Sequence, residues 1–311
     1  ETAVDFLQAS GLTFARIGLE AGPLSQWRHA GLVEAGLPAI CIETRHVKAA
    51  LKAMTVKTDK NDARGMAQLM RLGWFRPVHV KTLVAQESRA LLTARRLLLA
   101  KLCDLETSLR GILRGFGLKV GTVSKLRFES RIRELAAGQA MLERVVEPVL
   151  RVHAVLRGEY AVLHRTLLAA VRDDQVCRRL MTVPGVGAVV AMTFKSAIDQ
   201  PERFQHSKAV GAHFGLTPRK YQSGEVDRTG RISKVGDAAV RVALYEAANI
   251  LLTRAARWSS LKAWAMRVAT RQGMKKAKVA LARKLAVVLH RMWLDGTQFR
   301  WGCQAAPEAV A

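Results

Sequence analysis

Acidic residues are scarce in this chain. Its 311 residues include 25 Asp and Glu against 50 Lys and Arg, a formal net charge of +25. No stretch approaches the roughly 18 consecutive apolar residues of a membrane-spanning helix, and no signal peptide is evident. The four cysteines, Cys41, Cys103, Cys177 and Cys303, stand far apart with no C-x-x-C spacing. That spacing argues against a disulfide framework and against a zinc site, and it points to a reducing cytoplasm. The first residue is Glu1 rather than an initiator Met, so a fragment or an incomplete reading frame is expected. What remains is 50% hydrophobic residues, ample for buried cores over about two domains. Global disorder is excluded. The charge excess favours a polyanionic partner, either nucleic acid or an anionic membrane surface.

The opening text alternates in type. Phe14 to Leu19 reads as a strand ending at Glu20, and Gly22-Pro23 breaks it before a helix from Leu24 to Ala35. Leu37 to Ile42 is a second strand candidate, His46 to Ala53 looks helical, and Thr58 or Asp59 caps a further helix from Lys60 to Leu72. Strand, helix, strand, helix suggests part of an α/β sheet domain. From about Ala85 the leucines, interleaved with Arg89, Arg95, Arg96 and Lys101, give a helix with one apolar and one basic face. Gly111, Gly115, Gly117 and Gly121 are expected to end or interrupt it. A second long helix spans roughly Ala140 to Val171, with Pro148 and Gly158 as expected kinks. The pair suggests an antiparallel hairpin or coiled coil, read either as a spacer or as a dimerisation arm. Beyond Val176 come a helical stretch from Val240 to Leu252 and a basic helix from Lys275 to Met292.

Three stretches bear on chemistry. In Lys57 to Ala63, Asp59 and Asp62 are three apart at a helix start, which places both carboxylates on one face. With Glu20 they could hold a divalent metal for phosphoryl transfer, although Asp in a first turn commonly serves only as a cap or dipole partner. Leu180 to Gly187 contains P-G-V-G, resembling a helix-hairpin-helix turn in which Gly185 and Gly187 let backbone N–H groups approach a phosphate. The same letters also suit any tight turn. Between Gly215 and Arg241, Ser223 precedes Gly224 and is flanked by Arg219, Lys220, Arg228, Arg231 and Lys234. A sharp turn there would expose the hydroxyl as a nucleophile among cations. The plainer alternative is a solvated loop whose basic residues only grip phosphate.

Taken together, these stretches resemble the DEDD-type transposases of the insertion sequence 110 family, recombinases guided by a bridge RNA. The resemblance is carried by Leu19-Glu20-Ala21-Gly22, by K-T-D-K-N-D-A around Asp59 and Asp62, by Pro184–Gly187 and by Gly215–Arg219. Ser223-Gly224 and Ile232–Gly236 complete the order along almost the whole chain. The family's first Asp, in a G-[IV]-D strand, has no evident counterpart: Val4-Asp5 follows Ala3 in what looks like a helix, so the role is not carried to Asp5.

The implied architecture is mainly α with a partial α/β part. A truncated RNase H-like (resolvase-like) domain would occupy 1–78, a helical arm or dimerisation coiled coil 79–175, and a helical transposase domain with the catalytic serine 176–311. The implied activity is a DNA transposase acting through a serine–DNA intermediate. Glu20, Asp59 and Asp62 would bind Mg²⁺, and Gly185, Gly187, Arg219, Lys220, Arg228, Arg231 and Lys234 would contact nucleic acid. Donor and target DNA, a structured guide RNA and a homo-oligomer (dimer or tetramer) are the implied partners. No membrane is expected, and the setting would be bacterial cytoplasm in association with the nucleoid. A metal-dependent junction nuclease and a catalytically dead nucleic-acid-binding remnant are the alternatives.

Overall fold

The computed structural model describes residues 2–302, so Cys303 lies outside the described residues. It is mainly helical, with 64% helix and 7% strand, and the chain divides after Thr82 into two units.

The first unit begins with α1 (Thr2–Ala9), which contains Asp5. β1 (Ile17–Glu20) and β2 (Ala39–Ile42) pair in parallel, with Ile17 opposite Ala39 and Glu20 opposite Ile42. Parallel neighbours need a crossover connection, and α2 (Ser25–Glu34) supplies it. After α3 (Thr44–Ala50) and a 3-10 turn (Leu51–Ala53), the chain enters α4 (Asp59–Arg71). Thr58 caps α4, its hydroxyl accepting from the Asn61 N–H at 3.2 Å. The segment after α4 returns along the other edge of β2. There the Glu43 N–H donates to the Arg76 carbonyl (2.9 Å) and the Val78 N–H to the Cys41 carbonyl (2.7 Å). Beneath lies a small core of Ile42, Val47, Leu69 and Met70. A Cβ on Gly65 would stand 2.5 Å from a Leu51 methyl, so glycine at that point lets α4 pack down.

The second unit opens with α5 (Leu83–Gly115), α6 (Phe128–Ala136) and α7 (Ala140–Asp173). Gly111 does not interrupt α5, and α7 runs continuously through Pro148 and Gly158. Proline forfeits one backbone hydrogen bond, but Val146 and Leu150 on either side of it are buried with Leu109, Leu113, Phe128 and Ile132, and that packing holds the turn. The other ends of these helices enter a larger core through Leu167 and Val171 of α7 and Leu91 and Leu92 of α5.

That core is built by α8 (Gln175–Leu180), α9 (Ala188–Ile198), α10 (Lys208–His213), α11 (Ala238–Thr253), α12 (Ser260–Gln272) and α13 (Met274–Leu294). Phe194, Phe214, Leu244, Leu251, Leu281, Leu285 and Leu289 are all fully buried in it. Each such side chain contributes about 1.5–3 kcal/mol from burial. Ala247, Ala248, Ala277, Ala282 and Ala286 are also at 0% exposure, and their small size lets α11 and α13 approach closely. Between α10 and α11 the chain projects as an antiparallel hairpin, β3 (Pro218–Ser223) and β4 (Val226–Ile232). Among the described residues no helix is long and apolar enough to cross a membrane.

Candidate nucleic-acid interface and active site

Ser223 is the last residue of β3, paired with Val226 across a two-residue turn of Gly224 and Glu225. Gly224 has φ +54°, and glycine at the first turn position is what a type II′ hairpin demands. The stretch expected as either a sharp turn or a solvated loop is therefore a two-stranded ribbon, its register shifted between Pro218 and Lys220, with the serine at its tip. Every residue from Pro218 to Arg231 is exposed. Alternation along the strands puts Ser223, Val226, Tyr221 and Arg228 on one face, with Tyr221 directly opposite Arg228. Lys220 lies on the other face, where its ammonium meets Asp227 at 3.0 Å. The side chains of Arg228, Arg231 and Lys234 make no hydrogen bond or ion pair among the described residues, which leaves their charge available to an anion.

The base of the ribbon explains two of the motifs. Gly215 has φ +65°, and a Cβ there would lie 2.2 Å from the Val235 nitrogen; Gly236 has φ +72°, and its Cβ would lie 2.2 Å from the His213 carbonyl oxygen. The two glycines let the entering and leaving strands cross in contact. The Lys234 N–H donates to the Gly215 carbonyl (3.1 Å) and the Ser233 N–H to the Thr217 carbonyl (2.8 Å). Arg219 Nη2 donates to the Ser233 carbonyl at 3.2 Å, so this predicted phosphate contact also braces the base. Arg241 Nη1 reaches the carbonyls of Phe214 (3.2 Å), Val235 (2.7 Å) and Gly236 (3.1 Å). Asp237 caps α11 through the Ala239 N–H (2.8 Å) and pairs with Arg89 at 2.6 Å. Burial alone would raise the Asp237 carboxyl. Arg89 and the cap amides outweigh it and hold the group below the usual carboxylate range.

The P-G-V-G stretch links α8 to α9 as a helix–turn–helix element, but its glycines differ. Gly185 has φ +87°, and a Cβ would come within 2.3 Å of the Ala247 carbonyl oxygen. Its open side is filled by α11, so its requirement for glycine is met by internal packing. Gly187 is the N-cap of α9, is exposed, and has nothing within 4 Å of a would-be Cβ.

In the first unit, Glu20 is exposed at the carboxyl end of β1, the end at which open α/β sheets usually bind ligands. Ala21 and Thr44 tie the two strand ends together, the Thr44 hydroxyl donating to the Ala21 carbonyl at 2.7 Å. Asp59 and Asp62 occupy the first turn of α4, which packs against β1. Three carboxylates with no sulfur or imidazole suit a hard cation such as Mg²⁺. Among the described residues, however, no three His, Cys, Asp or Glu side chains gather closely enough to hold one ion.

Two buried cysteines are poorly suited to nucleophilic chemistry. Cys41, Cys103 and Cys177 are free thiols. Burial pushes Cys41 up, and burial followed by the Asp174 charge pushes Cys177 up to about 12. A thiol held protonated in this way is a poor nucleophile.

Comparison with known proteins supplies the family. A model of the Transposase IS116/IS110/IS902 family matches residues 177–264, the stretch holding P-G-V-G, the ribbon and Ser223. The chain is 30% identical over 278 residues to the transposase for insertion sequence element IS1111A of Coxiella burnetii, covering 86% of this chain and 74% of that protein. It is 28% identical over 250 residues to the putative transposase y4pF/y4sB of Sinorhizobium fredii, covering 78% and 64%. The transposase for insertion sequence element IS1328 of Yersinia enterocolitica matches at 26% over 252 residues, covering 78% and 75%. The chain belongs to the IS116/IS110/IS902 family of transposases, which are DNA-recombining enzymes.

Proposed function

We propose that this transposase cuts and rejoins DNA through a covalent phosphodiester on Ser223. The observation that carries the reading is the placement of that hydroxyl at the tip of a solvent-exposed cationic ribbon rooted in a buried helical core. The Ser223 oxygen attacks the scissile phosphorus, the bond to one sugar oxygen breaks, and the departing oxygen takes up a proton. A hydroxyl on the incoming strand later attacks the same phosphorus and releases the serine. One phosphodiester is exchanged for another at each step, so no external energy source is required.

Arg228, on the face of Ser223, neutralises charge building on the phosphoryl oxygens. Arg231 and Lys234 bind the flanking backbone, as do Arg219 and Lys220 in addition to their internal contacts. Gly187 offers backbone at the start of α9. Glu20, Asp59 and Asp62 are the residues that would have to close on Mg²⁺, which when bound would supply charge neutralisation to a phosphate; in the fold described they do not gather around one ion. The first unit is read as RNase H-like, α5 to α7 as an association arm of coiled-coil type in a dimer or tetramer, and a structured RNA as the guide that selects sites by base pairing.

The test is trapping on nicked DNA substrates with the full chain. Ser223→Ala is expected to abolish the protein–DNA adduct while DNA affinity stays within about twofold, and Asp59→Asn with Asp62→Asn to abolish it as well. Cleavage to free ends with no adduct would instead favour a metal-dependent nuclease. Binding without cleavage would favour a non-catalytic DNA-binding protein.

A further inference from the structure

Eleven Lys and Arg and no Asp or Glu stand between Glu246 and Asp295, and some of these cations lie against tryptophans in or just beyond the stretch. Trp258 is 60% exposed in the loop between α11 and α12, with the Lys262 ammonium 5.3 Å from its ring centroid. The Arg257 guanidinium lies 4.5 Å from the centre of the Trp301 ring. A single exposed aromatic residue needs no explanation. Here the ring is also held in place. The neighbouring Ser259 is buried and caps α12 by accepting from the Lys262 N–H at 3.1 Å. Lys262 Nζ donates to the Ala255 carbonyl (2.6 Å), and the Ser260 N–H donates to the Trp301 carbonyl (3.3 Å). The loop is therefore anchored on both sides of Trp258 while the indole stays open to solvent.

A rigid, exposed indole amid cations that form no ion pair among the described residues is the arrangement on which unpaired bases stack while their phosphates are neutralised. Duplex DNA hides its base faces and would gain only the charge term. We propose that Trp258, with Arg254, Arg257 and Lys262, is a stacking platform for an unpaired DNA strand. Such a strand is exposed whenever one DNA strand is exchanged for another. The inference does not depend on which residue is the nucleophile.

The test uses the full chain, fluorescently labelled oligo(dT), a blunt duplex of equal length and oligo(U), with anisotropy as the readout. Trp258→Ala is expected to weaken oligo(dT) binding about tenfold and to change duplex binding by less than twofold. Trp258→Phe, which keeps an aromatic face, should restore most of the loss. Replacing Arg257 and Lys262 together by Gln should make the log–log salt dependence for oligo(dT) shallower by about 1.4, two phosphate contacts at roughly 0.7 each. Three results would overturn the proposal: oligo(dT) affinity unchanged in Trp258→Ala, equal losses on oligo(dT) and duplex, or dependence on Trp258 for oligo(U) alone.

Discussion

Four buried side chains, Ile42, Val47, Leu69 and Met70, underlie the strand and helix that carry Glu20, Asp59 and Asp62. The ribbon that carries Ser223 is rooted instead in a core extending from Leu167 to Met292. The carboxylates are placed by short elements: a two-stranded sheet and one capped helix. The serine is placed by a strand crossing that two glycines and Arg241 lock onto a thick helical base. A hairpin alone is marginal in water, so the ribbon's order has to come from its root. The difference teaches that precision at an exposed nucleophile can be supplied from below, with none of the ribbon's own residues buried.

Cutting into the two cores gives the largest expected effects. Leu281→Ala, at a fully buried position, should destabilise the second unit by about 2–5 kcal/mol, the usual range for such a truncation. Leu69→Ala should shift an earlier, separate transition of the first unit and leave the later one in place. Denaturant unfolding followed by circular dichroism and tryptophan fluorescence reads both. A single transition moved equally by either substitution would erase the contrast.

Next in size is the ribbon root. Arg241→Ala removes three charge-assisted contacts to carbonyls, worth about 1.5–3 kcal/mol for even one such bond. The ribbon should loosen before the core does, seen as faster tryptic cleavage between Arg219 and Arg231 at an almost unchanged unfolding midpoint for the helices. Equal protection in the variant would show that the glycine crossing suffices without the arginine.

A pH dependence should mark the second unit. His290 is buried, with Nε2 3.0 Å from the Pro201 carbonyl and Nδ1 2.9 Å from the Ser207 hydroxyl. A neutral ring that donates from Nε2 and accepts at Nδ1 satisfies both. Burial lowers its pKa, so below about pH 6.5, the ordinary histidine value, the unfolded chain binds the extra proton first. The stabilisation is complete above that pH and is lost as pH falls through the lowered value. Burial followed by the Arg95 charge lowers His164 as well, adding in the same direction. Unfolding midpoints between pH 7 and 5 should fall, and His290→Gln should flatten that slope.

The smallest effect belongs to the ribbon surface. Lys220→Ala breaks an exposed ion pair and should change stability by less than about 1 kcal/mol, measured by the same unfolding curves. A larger loss would mean that the ribbon contributes to its own order.

The legibility of the sequence followed the same divide. The strand ending at Glu20, and a helix capped by Thr58 or Asp59, could be read because caps and breakers act locally; the structure settles the cap on Thr58. The long helices α5 and α7 announced themselves through leucine periodicity. α12 was not legible, since it buries only Leu261 and Ala265 and leaves little periodic signal. The ribbon escaped because its residues are polar on both faces and no burial pattern marks a strand there. The Gly224 turn was its one readable trace. The roles of Gly185, Gly215 and Gly236 depend on carbonyls and amides distant along the chain, such as Ala247 for Gly185, which only the folded chain brings together. Arg241 was hidden for the same reason.

The most direct test of the account is to identify the atom that carries the DNA. After trapping on a nicked substrate, nuclease digestion and proteolysis, mass spectrometry of the adduct should place the residual nucleotide on Ser223, within the peptide spanning Tyr221 to Arg228. The same peptide from Ser223→Ala should be unmodified. A nucleotide found on any other residue, or an adduct that persists in Ser223→Ala, would contradict the assignment of the ribbon tip as the seat of the chemistry.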